Sequence, residues 1–552
     1  MTQVTPASNA TADTQPVGMT QPGGLTLPGG LTLPTGPTGT SLQRLAEDAW
    51  QRDAGQSELH YEGRMWTSAE LADRTRRLCG GLRGIGVQPG ERVVVCMANC
   101  PEVSITYHAV WRAGAVATPV LFLLSEDELR HVLTDSGAVL VVTTPEFLPK
   151  VIASAAGVGG VRGIVVVGDY DAAVAASCPL PLIDFAELET AEPADLIDSD
   201  PASLAALLYT GGTTGRSKGV MISHNALSAS AWAATATSYE PTMKTFLLCL
   251  PLSHVYGLMV SVMSVHAPEP GVTVLMRWFD PAGWLGLAQQ HGVNGSPLVP
   301  SMLQMLLQQP LENYDLAALS RLNSGAAPLP AQVREDFVRR LPHVEIAEGY
   351  GCSESAAIIS TSPQGQARPG SVGKPAPGVE VKIELPDGNE AGPGDDGEIC
   401  IRGSVLMTGY WNAPEETAHA LRGGYLHTGD VGRLDGDGYL YIVDRIKDLI
   451  IRGGYNVYPR DVEDVLVQHP DVVAAATVGK PDEKYGEEVV AFVQLQPGAT
   501  VTPAELVEFA KGHLSAVKYP REIRVIDAIP LTSVLKTDRK RLRQQLADEV
   551  NA

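Results

Sequence analysis

The stretch Tyr209-Thr-Gly-Gly-Thr-Thr-Gly-Arg-Ser-Lys-Gly219 concentrates hydrogen-bond donors and positive charge in a short loop. An apolar run at 204–208 precedes it and reads as a buried strand; a second run at 220–222 follows, then a helix from Asn225. Gly211, Gly212 and Gly215 free the backbone to bend, Thr210, Thr213 and Thr214 bring hydroxyls, and Arg216 and Lys218 bring charge. That composition suits a cradle for a polyphosphate. The spacing differs from the common ATPase loop, which requires Gly-Lys-Ser/Thr four residues after a glycine. Alone, such a run is more often an ordinary glycine-rich turn, so its meaning depends on partners elsewhere.

Further clusters follow in order. Leu250-Pro-Leu-Ser-His-Val-Tyr-Gly257 sets His254 and Tyr256 just past a strand. Asn323-Ser-Gly-Ala-Ala-Pro328 is a small-residue turn against which a flat ring can lie. Glu348-Gly-Tyr-Gly-Cys-Ser-Glu354 offers an aromatic face, a hydroxyl and carboxylates. Tyr425-Leu-His-Thr-Gly-Asp430 ends in an acid suited to a ribose diol. The segment from Asp444 through Arg445 and Lys447 to Gly453-Gly-Tyr-Asn456 carries cations and glycines, and Pro530-Leu-Thr-Ser-Val-Leu-Lys536 ends in a lone lysine. Each has a plain structural reading as well. His254 fits a core histidine, Tyr350 a packing residue, Asp430 a turn cap and Lys536 a solvated charge.

The elements that must position these residues alternate. From Ser41 the pattern is helix and strand in turn, with Thr67-Ser-Ala-Glu70 reading as a capped helix start. Continuous apolar runs at 93–97, 115–119, 139–142, 163–167, 246–250, 272–276 and 296–299 predict strands buried on both faces, hence a largely parallel sheet covered by helices. The clusters above fall at strand ends, where open α/β sheets bind ligands. After Gly370 the texture shifts to turns between short alternating strands, a small β-rich unit, and 449–552 forms a compact α+β unit. Residues 1–40, in which Gly-Gly-Leu-Thr-Leu-Pro occurs twice, are Thr/Pro/Gly-rich and read as a disordered tail.

Composition bounds the partners. At 552 residues the chain exceeds one core, and its 44% apolar and 19% charged content is that of a soluble globular protein. A net charge of −22 excludes nucleic-acid binding as the main business and requires any nucleotide site to be locally cationic. The seven cysteines are scattered without a Cys-x-x-Cys pair, so reduced thiols in a cytoplasmic protein, without a zinc site, are expected. No apolar run has the length of a membrane span, and the first basic residue is Arg44, so no secretory signal is expected.

Jointly and in this order, the clusters resemble the signatures of the adenylate-forming superfamily, most closely the acyl-CoA synthetases. The resemblance covers roughly residues 45–545. It implies a large N-terminal domain (41–444) of two α/β sheet subdomains plus a β-rich one, a hinge at 445–448, and a small mobile α+β domain (449–552). It implies ATP, Mg²⁺ and coenzyme A as reactants: a carboxylate attacks the α-phosphorus, pyrophosphate leaves, and a thiol then displaces AMP. Carried over by position, Thr210, Gly211, Gly212, Thr213, Thr214, Gly215 and Lys218 would wrap the phosphates. Gly325, Ala326 and Ala327 would sandwich adenine against Tyr350, between Glu348, Gly349 and Gly351. Ser353 stands where a threonine is usual and retains its hydroxyl for the α-phosphate. Glu354 matches the Mg²⁺ ligand, Asp430 the ribose acid and Arg445 its neighbour, and Lys536 the lysine that bridges carboxylate and α-phosphate. Lys447 is the hinge residue, and rotation there would bring Gly453, Gly454 and Asn456 to a pantetheine tunnel. Leu535 departs from the usual glycine, which puts that loop's geometry in question.

The acid pocket implied is His254, Tyr256, Val299, Ser301, Gly349, Gly351, Ala356 and Ile358, with His254 a gate over the carboxylate. The segment after His254 holds no acid to pair a buried ammonium, which argues against a free α-amino acid and for an aryl, arylpropenoic or fatty acid. Two alternatives stay open: transfer to an acyl carrier protein thiol or another nucleophile, including nitrogen chemistry, and a nucleotide- or ligand-binding protein without catalysis. The enzyme is expected as a monomer or homodimer.

Overall fold

The computed structural model describes residues 25–26, 32–33, 39–210, 216–531 and 537–550. Among these the strands form two large mixed sheets, a four-stranded sheet and a five-stranded sheet, besides one minimal hairpin. The first large sheet runs Gly409–Tyr410, Lys218–Ser223, Leu204–Thr210, Val116–Pro119, Arg92–Cys96, Leu140–Thr143, Gly163–Val166 and Leu182–Asp184. Its centre is parallel, and Val93, Val94 and Val95 have no exposed surface, as apolar runs buried on both faces require. The chain then reverses: Leu204–Thr210 and Lys218–Ser223 pair antiparallel with Thr210 opposite Lys218. The two ends of the expected cradle therefore sit side by side, and residues 211–215 between them lie outside the described residues.

The second large sheet has a parallel centre made by Val272–Leu275, Thr245–Leu248, Gly295–Leu298, Arg321–Ser324 and Glu345–Tyr350. Its outer members, Ser57–Tyr61 with Arg64–Thr67 and Ser360–Thr361 with Lys374–Pro375, are antiparallel pairs that apolar patterning did not announce. Parallel order brings the segments after Leu248, Leu298, Ser324 and Tyr350 to one end of the sheet. The helix Ser68–Gly84 opens with the expected reciprocal cap between Thr67 and Glu70.

The four-stranded sheet Val379–Glu384, Gly397–Gly403, Leu426–Leu434, Leu440–Arg445 is the β-rich unit. Its inner face, with Ile383, Ile399 and Ile401, joins the main core. Beyond it, Ile450, Val457, Val462, Val489 and Leu506 belong to a separate core on the last sheet, which the helices Pro459–Leu466 and Pro503–His513 cover. Within the segment 1–40, Leu25–Thr26 pairs antiparallel with Thr32–Leu33. No helix among the described residues is long and apolar enough to cross a membrane.

Asn99 joins the two large sheets. It follows the strand Arg92–Cys96 and is buried, and its Nδ2 donates to the carbonyls of Leu250 (2.9 Å) and Met276 (3.1 Å). Its Oδ1 accepts from Leu252 N–H at 2.9 Å. Truncation strands three buried backbone groups, so Asn99→Ala should cost about 2–3 kcal/mol. Urea unfolding followed by the fluorescence of buried Trp111 and Trp284 reads this as a lowered midpoint; an unmoved midpoint would contradict it.

Candidate active site

The strand ends open on one cavity of about 2440 Å³, lined from both large sheets, the β-rich sheet and the C-terminal unit. The space is several times a single-ligand pocket. Thr210 and Lys218 stand at its rim, with Lys218 Nζ 3.5 Å from Glu416 and 5.4 Å from the Tyr410 ring centre. Gly325, Ala326 and Ala327 follow Ser324 and form one wall. Ala326 has φ +67°, and a side chain on Gly325 would press on the Tyr256 ring at 3.2 Å. Alongside, Glu348, Gly349 and Tyr350 end the neighbouring strand and Gly351 follows it.

At Gly351 a Cβ would come within 1.8 Å of the Ala357 carbonyl oxygen, so only glycine fits. This close approach folds the chain back over the strand end. It places Ser353 and Glu354 in a short 3₁₀ turn, Ser353–Ser355, facing the cavity. It also corrects one pocket residue. Ala356 is completely buried with its carbonyl accepting from Ser230 Oγ at 2.5 Å, and Ala357 lines the cavity in its place, beside the expected Ile358. Both alanines carry positive φ (48° and 97°), so the turn swings the first side chain inward.

Asp430 lies on the strand Leu426–Leu434 directly opposite Arg445 on Leu440–Arg445. Asp430 is 5% exposed; its Oδ2 accepts from the Tyr350 hydroxyl at 2.6 Å and its Oδ1 meets Arg445 Nε at 3.0 Å. Thr428 Oγ1 accepts from the Asp430 amide at 3.1 Å, which fixes the turn. Burial first, and the adjacent carboxylate next, push the Tyr350 phenol well above its ordinary pKa, so it remains a donor. Glu354 has a partner that sequence motifs did not point to. Tyr410 Oη donates to its Oε1 at 2.9 Å, placed there because Gly409–Tyr410 pairs with Lys218–Ser223. No local spacing links residues 56 apart; only strand pairing reveals Tyr410.

His254 caps the helix Val255–Val262, and its Nδ1 accepts from Tyr256 N–H at 3.3 Å. A neutral ring in that arrangement carries its proton on Nε2 and can donate rather than act as a base. Tyr256, Val299, Ser301 and Gly349 share the lining, and Ser301 Oγ is buried without a hydrogen bond among the described residues. Lys447 borders the cavity from the turn Ile446–Asp448. Gly453, Gly454 and Asn456 lie outside it, at an exposed hairpin on the C-terminal sheet. Leu535 and Lys536 fall outside the described residues; Leu531 and Thr537, which flank them, border the cavity and pair with each other.

A profile of AMP-binding enzymes matches residues 46–411, and one of the AMP-binding enzyme C-terminal domain matches 461–536. The chain belongs to the AMP-binding enzyme family. It is 34% identical over 538 residues to a long-chain-fatty-acid–CoA ligase of Bacillus subtilis, covering 92% of this chain and 94% of that one. It is 36% identical over 483 residues to a feruloyl-CoA synthase of Amycolatopsis, covering 86% and 92%. Among solved structures, the amide bond synthetase of Marinactinospora thermotolerans superposes with a TM-score of 0.81 at 30% identity, covering 91% and 99%.

The site fits Mg²⁺. Glu354 presents a hard oxygen donor to the cavity, and magnesium takes one or two carboxylates beside phosphate oxygens. The Tyr410 hydroxyl fixes that carboxylate's rotamer. Tyr410→Phe should therefore weaken MgATP binding about tenfold, the value of one hydrogen bond to a charged acceptor, and leave metal-free AMP binding within about a factor of two. Calorimetric titration of both nucleotides checks it; equal losses would show that the hydroxyl shapes the cavity rather than the metal ligand.

Proposed function

We propose that this chain is an AMP-forming acid:coenzyme A ligase. It joins a hydrophobic carboxylic acid to the α-phosphate of ATP with release of pyrophosphate, then passes the acyl group to the coenzyme A thiol. One observation carries the reading: a buried acid suited to a ribose, a small-residue wall facing an aromatic ring, a cationic rim and an apolar recess meet in one cavity. A non-catalytic binding protein would need the first two features but not the recess beside them.

In the first step a carboxylate oxygen forms a bond to the α-phosphorus as the bond to pyrophosphate breaks. Thr210 and Lys218 hold the leaving phosphates, and Asp430 takes the ribose hydroxyls in exchange for part of its bonding to Tyr350 and Arg445. The ring of Tyr350 and the wall 325–327 hold adenine, and His254 Nε2–H donates to the attacking carboxylate. Mg²⁺ bound at Glu354 would neutralise charge on the phosphates. Lys536 bridges the two anions, whose mutual repulsion is the main barrier to their approach. In the second step sulfur bonds to the acyl carbon, AMP departs, and the thiol proton goes to solvent.

The acid is aryl, arylpropenoic or fatty. Met259, Val260, Met263, Val299 and Ile358 line the same cavity as His254, apolar surface that rewards apolar bulk. Long-chain and feruloyl acids in the names of relatives support that class. Similarity to an amide bond synthetase supports a second reading of the acceptor alone, an amine or a carrier thiol in place of coenzyme A.

Pyrophosphate release with MgATP across a panel of such acids is the test. No release with any acid would favour a binding protein, and thioester against amide product separates the acceptors. Lys536→Ala should reduce adenylate formation by about 10²-fold or more, the loss typical of a group acting on transition-state charge, yet largely spare thioester formation from supplied acyl-adenylate. Equal loss in both half-reactions would sink the proposal that the lysine serves only the first.

A further inference from the structure

The outer face of the β-rich sheet carries a polar cluster that adenylation does not use. Strand register sets Lys382 opposite Cys400, Cys400 opposite His427, and Glu384 opposite Glu398. The two sequence gaps, Glu384 to Cys400 and Cys400 to His427, hide this from any short motif. Cys400 is completely buried, and its Sγ lies 3.3 Å from His427 Nδ1. That nitrogen is 2.9 Å from Glu398 Oε2. One ligand atom each from Glu384, Cys400 and His427 lie within 4.8 Å of one another.

The chemistry of the set is selective. A sulfur, an imidazole nitrogen and carboxylate oxygens are the donors of zinc and its congeners, whereas magnesium prefers oxygen alone. The two carboxylates face each other across a strand pair, an unfavourable placement unless positive charge joins them. Here Lys382 Nζ meets Glu384 at 2.7 Å and Arg422 meets Glu398 at 3.0 Å. Burial pushes the Cys400 thiol up to about 12, so it keeps its proton while no cation is bound. A tetrahedral centre with zinc's bond lengths separates its donors by roughly 3.3–3.8 Å, so side-chain shifts of about an ångström close the set.

We propose that Glu384, Cys400 and His427, with Glu398 as fourth ligand, form a site for a thiophilic divalent cation, separate from the magnesium position at Glu354. Binding is an exchange without redox change. The cation bonds to Sγ, Nδ1 and carboxylate oxygens, the thiol proton passes to solvent, and Lys382 leaves Glu384 for water. Glu398 and His427 also border the large cavity, whereas Glu384 and Cys400 do not; cation binding without nucleotide is independent of whether the proposed reaction is correct.

The test is titration of tag-free full-length protein with Co²⁺, with excess Mg²⁺ present and no nucleotide. About one equivalent should bind and raise a thiolate-to-cobalt charge-transfer absorption. Cys400→Ala should abolish the band, and Glu384→Gln should keep it while weakening binding about tenfold or more. Both variants should retain folding by circular dichroism. Should Cys400→Ala fail to fold, Glu384→Gln alone decides through its affinity. Absence of the band in the unmodified protein, its persistence in folded Cys400→Ala, or unchanged affinity in Glu384→Gln would each overturn the site.

Discussion

A carboxylate removed from water must be compensated by hydrogen bonds and opposite charge, and Asp430 is the residue at which the fold meets that demand. Its two oxygens are claimed by Tyr350, at the end of a strand in the second large sheet, and by Arg445, its own cross-strand neighbour. Three consequences follow from one buried charge. The β-rich sheet is tied to the large sheet, the Tyr350 ring is fixed as a cavity wall, and the chain entering the C-terminal unit starts from a defined point. A ribose diol can replace part of this bonding because two hydroxyls offer the same donors, so the acid stays satisfied throughout.

The geometry around that node depends on steric near-contacts as much as on polar ones. Gly351 allows the following turn to pass directly beneath the strand end, and any other residue would collide with the Ala357 carbonyl. The reversal sets Glu354 back towards Lys218–Ser223, where Tyr410 meets it. Underneath, buried Arg321 donates to Asn323 Oδ1 at 2.9 Å and Glu345 Oε2 at 2.8 Å, and also to Gln364 Oε1 and the Ser362 carbonyl. It braces the two strands that bear the wall and the aromatic ring. Burial lowers its pKa, yet an arginine stays charged through any ordinary pH, and Glu345 balances it.

Much of this was legible in the sequence because it is local. Apolar runs announced the parallel strands, Thr67 and Glu70 announced a helix start, and donor-rich or small-residue turns fell at strand ends. What was not legible arises from pairing between distant segments. Tyr410 reaches Glu354, and Cys400 reaches His427, only through register, which no spacing records. The pocket assignment of Ala356 failed for a different reason: two successive positive-φ alanines rotate the turn by one residue, and nothing in Ala-Ala-Ile foretells left-handed backbone.

The same bonding pattern bears on how the C-terminal unit would turn at the proposed hinge, 445–448. Across the hinge, Asp444 Oδ2 accepts from the Arg460 amide at 3.1 Å, and Arg460 Nη1 donates to the Ile442 carbonyl at 2.9 Å. Beyond it, Asp448 is held by Arg543 at 2.6 Å, within the C-terminal unit itself. Rotation about Lys447 would break the first pair and leave the last intact. The broken groups lie at the rim of the cavity, where water can replace each partner, so the net cost is about 1 kcal/mol per bond rather than the several that a dry interior would exact. The large separate cores on either side need not be disturbed. If the chain turns at Lys447, a hinge between a solvent-accessible clasp and a buried internal anchor would let the unit rotate as one body and would leave the Asp430 node, with the nucleotide it would hold, on the stationary side.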